Sequence, residues 1–429
     1  MTNLPRYEKY KDSGVEWLGE IPEHWEIKKL KSVADLINGY AFKNEDYKEK
    51  GIPIIQIGNV TQNIDLKKCK KVDYSFEKKY HRFKILTKDI LLAMTGATIG
   101  KSSQYLLSDT ALLNQRVGIL RAKNISDSFL IFFVESVVFK TYIDFECYGG
   151  AQENIGANSI RNIALPHPPI AEQKRIAEFL DRKCGEIDEA IRKKQRLIEL
   201  LEEQKTILIN QAVTKGLNPN APMKDSGIDW LREIPEHWEV WRSKRLFNQS
   251  KELARPDDIQ LSATQAYGVI PQEEYEHRIG RKVTKVFQHL EKRRHVEIGD
   301  FVISMRSFQG GLERAWAQGC IRSSYVVLKP SEKNDLDFFM YLFKSQSYIE
   351  ALQTTASFIR DGQDLNFDNF CGVDLPLPPI EEQRTIAKSI RLSIEKSSQA
   401  AKYIQQEINK LTELKQIIIT EAVTGKIKV

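Results

Sequence analysis

The chain repeats itself. Residues 11–26, KDSGVEWLGEIPEHWE, and residues 224–239, KDSGIDWLREIPEHWE, agree at 13 of 16 positions with an offset of 213. LPHPPIAEQKRIA from Leu165 and LPLPPIEEQRTIA from Leu375 agree at nine of 13 with an offset of 210, and Ala212-Val213-Thr214 returns at that same offset as Ala422-Val423-Thr424. So constant an offset means one unit of about 210 residues written twice, not a patchwork of unrelated modules. A length of 429 residues allows two to four domains, which two copies of a two-part unit satisfy.

Periodicity divides each unit in two. Between Ala171 and Thr214 there is no proline and one glycine, Gly185, while apolar or small residues recur at Ile176, Leu180, Cys184, Ile187, Ile191, Ile198, Leu201, Leu208 and Ala212. Gaps of three, four and seven make a coiled-coil seam, with Lys194 and Lys205 at the two positions left over. The second unit repeats the seam from Ile386 to Ala422, with Lys415 inside it. Two helices of about 40 residues follow, each on the order of 60 Å long. Prolines 166, 168 and 169 precede the first helix and prolines 376, 378 and 379 the second, while Gly216 and Gly425 mark their ends. A stripe this narrow has to be covered by another helix, from the same chain or another protein. Pairing within the chain is simpler, and in a tandem repeat it is most easily antiparallel, with a globular part at each end of a rod. Ordinary core helices are the other reading.

The remaining parts read as mixed α/β. Short apolar runs predict strands at Ile52–Ile57, Ile90–Met94, Val117–Leu120, Phe301–Met305 and Tyr325–Leu328, and helices with aromatic faces at Phe129–Ile143 and Phe338–Leu352. An Asp leading into a strand that ends in Met recurs (Asp89 to Met94, Asp300 to Met305), but the loops differ. A duplicated scaffold with divergent loops suits two sites that read two targets. Hydrophobic residues at 41% and charged residues at 28% exclude a disordered chain. Five scattered cysteines with no C-x-x-C pair suggest neither a disulfide framework nor a thiolate zinc site. The first ten residues lack the apolar core of a signal peptide, and the longest apolar run, Phe129–Val134, falls far short of the roughly 20 residues of a bilayer span. The expected location is the cytoplasm, with no membrane partner.

Motifs for chemistry are missing. Gly96-Ala97-Thr98-Ile99-Gly100-Lys101-Ser102 follows a strand, but a phosphate-binding loop needs four residues between its glycines and here there are three. The loop suits close approach of Thr98 and Lys101 to a nucleic-acid backbone, or serves only as a hairpin turn. There is no Asp/Asn-Pro-Pro-aromatic methyltransferase segment, no G-x-G-x-x-G and no H-E-x-x-H. His24 and His237 lie in the repeated aromatic segment, where packing is the simpler role. The expectation is a chain with no catalytic residue, no bound metal and no cofactor.

What the sequence does carry is binding equipment. Basic clusters stand at Lys67, Lys68, Lys70 and Lys71; at Lys78, Lys79, His81, Arg82 and Lys84; at Arg278, Arg281 and Lys282; and at Lys292, Arg293, Arg294 and His295. Such cations neutralise phosphates and release counterions, although each cluster alone also fits a solvated face. Bases are read by paired donors and acceptors. Loop residues of that kind are Asn114, Gln115 and Arg116; Gln152 and Asn154; Arg306 and Gln309; Arg322; and Arg360, Gln363 and Asn366. The net charge of +6 permits a polyanionic partner without demanding one.

Taken with Gly39-Tyr40-Ala41-Phe42-Lys43, Gly51-Ile52-Pro53, Ile57-Gly58-Asn59, Asp89 to Lys101, Gly150 to Asn154 and both Leu-Pro-x-Pro-Pro-Ile-x-Glu-Gln helix starts, the chain resembles the DNA-specificity subunit of type I restriction-modification systems over its whole length. Met305-Arg306-Ser307-Phe308-Gln309-Gly310-Gly311 resembles a loop variant of that family, which adds Lys43 and Ser307 to the candidate DNA contacts. The resemblance implies an α+β fold: two mixed α/β target-recognition domains in tandem (1–164 and 217–374), separated by two long helices (165–216 and 375–429) that form an antiparallel coiled coil, with internal pseudo-two-fold duplication. It also implies that each domain reads half of an asymmetric bipartite site on double-stranded DNA, and that the helices set the spacing and dock methylation subunits. S-adenosylmethionine would then sit in those partners, with ATP and magnesium in restriction/translocase subunits. Because recognition loops differ between members, base contacts do not carry over position by position. The competing readings are a coiled-coil scaffold that binds only proteins and a self-sufficient methyltransferase or nuclease with a cryptic site.

Overall fold

A computed structural model describes residues 5–61, 63–147, 154–283, 290–304, 307–355 and 365–429. The chain forms two compact units, one of residues 1–195 with 405–429 and the other of residues 196–404. Two long helices, Ile170–Lys215 and Ile380–Val423, each contribute one part to either unit.

In unit one, a four-stranded antiparallel sheet runs Ser102–Gln104, Ile90–Ala93, Val117–Ala122, Ala34–Asn38. A five-stranded sheet runs Tyr47–Lys48, Lys70–Val72, Ile52–Ile55, Ala111–Leu113, Lys84–Ile85, parallel only where Leu112 and Leu113 meet Ile54 and Ile55. Unit two keeps the first sheet as Phe247–Ser250, Val326–Pro330, Phe301–Ile303, Glu313–Arg314. In place of the second sheet its described residues form two antiparallel pairs, Leu261–Thr264 with Gly268–Pro271 and Arg294–Val296 with Gly319–Ile321.

The repeated motifs build the same frame in both units. Tyr10–Asp12 pairs with Glu20–Pro22, and Met223–Asp225 with Glu233–Pro235. Trp25 and Trp238 are fully buried, and the glycine that ends a long helix rests on each: Gly425 (φ 72°) on Pro22 and Trp25, Gly216 (φ 75°) on Trp238. A left-handed residue in such close contact has to be glycine. The Glu-Gln pair of each helix start is used twice over. Glu172 accepts bonds from Tyr7 (2.5 Å) and His24 (2.9 Å), and Glu382 is bonded to His237 (2.7 Å). Burial alone would raise Glu172, but these bonds outweigh it and hold the carboxyl below its usual value. Gln173 and Gln383 are buried; they accept from the backbone N–H of Ser126 and Asp335 and donate to the carbonyls of Pro168 and Pro378, all at 2.8–2.9 Å.

Within unit one the helices are antiparallel, because Lys194 pairs with Glu407 (2.5 Å) while Lys415 binds Asp188 (2.7 Å). Their seam there buries Ile176, Leu180, Cys184 and Ile187 in one core with Ile418, Ala422 and Val423. In unit two Ala212 and Val213 share a core with Ile386, Ala387 and Ile390, and Gly216 lies beside Glu382, so the direction is again antiparallel. Lys205 turns to Glu202 of its own helix.

The two aromatic helices differ from expectation. Each is broken: Asp127–Glu135 then Val137–Cys147, and Leu336–Lys344 then Gln346–Thr354. A buried serine causes both breaks. The Ser136 hydroxyl donates to Phe133 O (2.6 Å) and accepts from Phe139 N (3.3 Å); Ser345 does the same with Leu342 O (2.6 Å) and Tyr348 N (3.4 Å). The strand expected over 52–57 stops at Ile55, where Gln56 opens a short 3₁₀ turn. All five cysteines are free, and no helix among the described residues is long and apolar enough to cross a membrane.

Candidate nucleic-acid interface

Three segments singled out in the first unit meet. The turn Asn114–Val117 is closed by a bond from Val117 N to Asn114 O, and Arg116 O accepts from Met94 N (3.1 Å). Met94 O in turn accepts from Ile155 N (3.1 Å), and Thr95 forms a bridge with Asn154. Gln115, Arg116 and Asn154 are exposed at this junction, whereas Asn114 is buried beneath it. Thr98 and Lys101 are exposed on the adjoining loop, the hairpin between Ile90–Ala93 and Ser102–Gln104. That loop is no phosphate cradle: Ile99 N–H donates to Gly96 O, Gly100 N–H to Ala93 O and Lys101 N–H to Thr98 O. Three of its donors are spent on its own backbone.

A second layer supports the turn. Tyr40 pairs with Asn114 and its carbonyl accepts from Gln115 N (3.0 Å), while a Cβ on Gly39 would lie 2.0 Å from the Asn114 carbonyl oxygen. Only glycine allows the approach. Tyr40 sits in an aromatic cluster with Tyr80 (4.4 Å between ring centroids), Phe42 (5.1 Å) and Phe83 (5.6 Å), extended by Phe76 against Tyr80 (5.1 Å). Sequence reading missed Tyr80 and Phe76, because nothing in their spacing marks a shared cluster. The cluster links the Asn114–Arg116 turn to the Lys-rich segment of residues 66–84. Lys43 is exposed beside it, with its ammonium 3.6 Å from Glu45. Behind the sheet, Arg121 grips the buried Asp89 with two bonds of 2.8 and 2.6 Å.

In unit two the matching turn is Arg322–Tyr325, closed by Tyr325 N to Arg322 O (3.1 Å), with Arg322 exposed. Gln309 is exposed in the short helix Ser307–Gly310. Ser307 is buried, and its hydroxyl accepts from Ser304 N (2.9 Å). Asn366 caps a helix, accepting from Asp368 N (2.9 Å) and Asn369 N (3.0 Å). Ser307 is thus held inside the fold, and the cap occupies the Oδ1 of Asn366. Gln152, Arg306, Arg360 and Gln363 lie outside the described residues. Asp300 stands where Asp89 does, but no guanidinium among the described residues reaches it and burial pushes its carboxyl up to about 6.

One group of potential metal ligands occurs among the described residues: Glu252, His295 and Glu297, with ligand atoms within 4.8 Å of one another. Both carboxylates are already matched by Arg255 (2.6 and 3.3 Å), Glu297 also by Lys329 (2.8 Å), while Nδ1 of His295 is bonded to Asp258 (2.8 Å). This is an ion-pair network.

Residues 22–202 and 235–410 each match the family described as "Type I restriction modification DNA specificity domain". The chain is 23% identical over 433 residues to the type I restriction enzyme EcoBI specificity subunit of Escherichia coli, covering 97% of this chain and 89% of that protein. It is 33% identical over 204 residues to the MjaVIII specificity subunit of Methanocaldococcus jannaschii, 46% of this chain and 47% of the other. In fold it is similar to the crystal structure of the HsdS subunit from Thermoanaerobacter tengcongensis, with a TM-score of 0.52 at 15% identity over 95% of this chain and 98% of the other. It is also similar to a chain from a study of complex assembly and conformational transition of the type I R-M system, with a TM-score of 0.63 at 15% identity over 94% and 98%. With the family's domain present in both repeats, at the positions the duplication marks, the chain belongs to the type I restriction-modification DNA specificity family.

Proposed function

We propose that the chain is the DNA-reading, non-catalytic subunit of a type I restriction-modification assembly, and that each unit reads one half of an asymmetric bipartite site on double-stranded DNA. One observation carries the reading: both units hold the same turn on the same four-stranded sheet, but present Gln115 and Arg116 in one and Arg322 in the other. One scaffold with two sets of readers gives two unlike half-sites. Methylation subunits would dock on the long helices and bring S-adenosylmethionine, and restriction subunits would bring ATP and magnesium; the chain itself would act in the cytoplasm. The number of helical turns would set the base pairs between the halves.

The test is to express the chain with its methylation subunit and map the methylated adenines. Arg116→Ala is expected to relax one half of the site and Arg322→Ala the other, each by about 1–3 kcal/mol, roughly tenfold to a hundredfold in discrimination. Removing one turn from each helix should change the spacing and leave the bases unchanged. A substitution that altered both halves equally would count against separate readers.

A further inference from the structure

The positive charge of the chain is concentrated in one unit. Residues 43–84 hold 11 Lys and Arg against six Asp and Glu, an excess of five where the entire chain has an excess of six. Over the whole globular parts the difference is smaller, residues 1–164 holding 24 Lys and Arg against 20 Asp and Glu and residues 217–374 holding 21 against 23. In unit one Lys48, Lys50, Lys67, Lys70, Lys78, Lys79 and Arg82 are exposed, with no carboxylate paired to them among the described residues. The acids nearby are engaged elsewhere: Asp65 accepts from Lys67 N, Asp73 from Ser75 N and its hydroxyl, and Glu77 binds Lys84 (2.6 Å). In unit two Arg255, Arg278, Arg314, Lys329 and Lys344 are each closed in an ion pair, while Arg281, Lys282, Lys292 and Arg322 are exposed with no carboxylate paired to them among the described residues.

Placement gives the second argument. Lys79 lies over the Tyr80 and Phe76 rings (5.2 and 5.6 Å), Lys70 lies over Tyr47 (4.6 Å), and Tyr80 packs on Tyr40, the residue that backs Asn114 and Gln115. Lys79 and Lys70 are therefore mounted on aromatic rings, and the Tyr80 ring continues to the residue that backs the exposed turn. A charge array beside a base-reading turn meets the phosphates that flank the bases being read.

Resting on the DNA-reading function proposed above, we infer that residues 43–84 form a phosphate anchor that supplies most of the sequence-independent binding to duplex DNA, so that the two units contribute unequally. Unit one holds the duplex by charge. Unit two, nearly neutral, contributes base contacts and shape. The competing explanation is that these lysines only shield the edges of a small sheet from pairing with another strand.

The experiment measures affinity of the full chain for a labelled duplex of arbitrary sequence across a potassium chloride series, which removes base reading from the comparison. Each lost phosphate contact lowers the slope of log affinity against log salt by about 0.9. The triple substitution Lys67→Gln, Lys70→Gln, Lys78→Gln is expected to lower the slope by roughly 2 to 3, and Arg281→Gln, Lys282→Gln, Arg322→Gln by less than about 1. Lys67→Arg, Lys70→Arg, Lys78→Arg keeps the charge and should keep the slope, which separates loss of contact from loss of fold. Equal decrements from the two triples, or none from the first, would overturn the anchor and leave DNA reading intact. Failure of the unaltered chain to show any salt-dependent duplex binding would overturn DNA reading, and the anchor with it.

Discussion

Gln173 and Gln383 are fully buried amides at the starts of the long helices, and each joins three pieces of chain. The Gln383 side chain accepts from Asp335 N (2.8 Å) and donates to Pro378 O (2.9 Å) and Lys333 O (3.1 Å). It thereby ties the helix start to the N-terminus of the aromatic helix Leu336–Lys344. A buried donor or acceptor that loses its partner costs about 1–3 kcal/mol, far more than the net gain from forming the bond. Gln383→Leu keeps the volume and strands these groups, so we expect a loss of about 2–4 kcal/mol by urea unfolding. Gln383→Glu should be milder only at low pH, where the protonated acid can still donate. A change below about 0.5 kcal/mol for the leucine variant would show that the amide bonds are dispensable. Sequence reading found this glutamine as part of a repeated word, without its role, because a bond to the backbone of a helix some 48 residues away leaves no local pattern.

The two long helices were the most legible elements, since their proline starts, glycine ends and apolar spacing are all local. The coil pairing they form was legible too, down to the seam lysines, but the lysine partners were not. Lys194 reaches Glu407 across the seam, Lys205 stays on its own helix, and Lys415, which is only 17% exposed, binds Asp188 through both carboxylate oxygens. A partly buried lysine in an apolar seam costs stability and fixes register. Lys415→Glu places like charges together and should cost about 1–2 kcal/mol, and adding Asp188→Lys should recover most of that loss in a double-mutant cycle. If the exchanged pair recovers nothing, the ion pair does not set register. The small sheets were far less legible. Strands of two to four residues, such as Tyr47–Lys48 and Lys84–Ile85, pair through contacts distant in sequence, and their partners diverged between repeats. The turn Asn114–Arg116 was visible as a turn because it interrupts two apolar runs. The capping role of Asn366 was not legible, since an asparagine that caps a helix and one that reads adenine look alike in a sequence.

At the scale of the molecule, the duplication makes two junctions interchangeable. One follows the first long helix: Gly216 seats on Trp238, and the chain crosses exposed Leu217, Asn218, Pro219 and Asn220 before entering the strand at Met223. The other has no covalent link but is already assembled within unit one. Gly425 seats on Pro22 and Trp25, Gly425 O accepts from the Tyr10 hydroxyl (3.1 Å), and Lys428 N donates to Pro5 O (2.7 Å). A short linker from Val429 to the N-terminal segment, with the chain opened between Pro219 and Asn220, would exchange the roles of the two junctions without removing a buried contact. Chain breaks are tolerated where little is buried and few backbone bonds are cut. Only the turn bonds from Ala221 N and Asn220 N to Asn218 are lost. The permuted chain is therefore expected to fold with stability within about 1 kcal/mol of the parent and to direct methylation to the same DNA site. Opening the chain instead between Gln195 and Arg196, inside the first long helix, severs a continuous ladder of backbone bonds and should cost several times more. Thermal unfolding of both permutants, with methylation mapping of the first, decides the matter. If the first were as damaged as the second, the two junctions would not be equivalent, and a repeat unit running from hairpin to helix-ending glycine would be the wrong division of this chain.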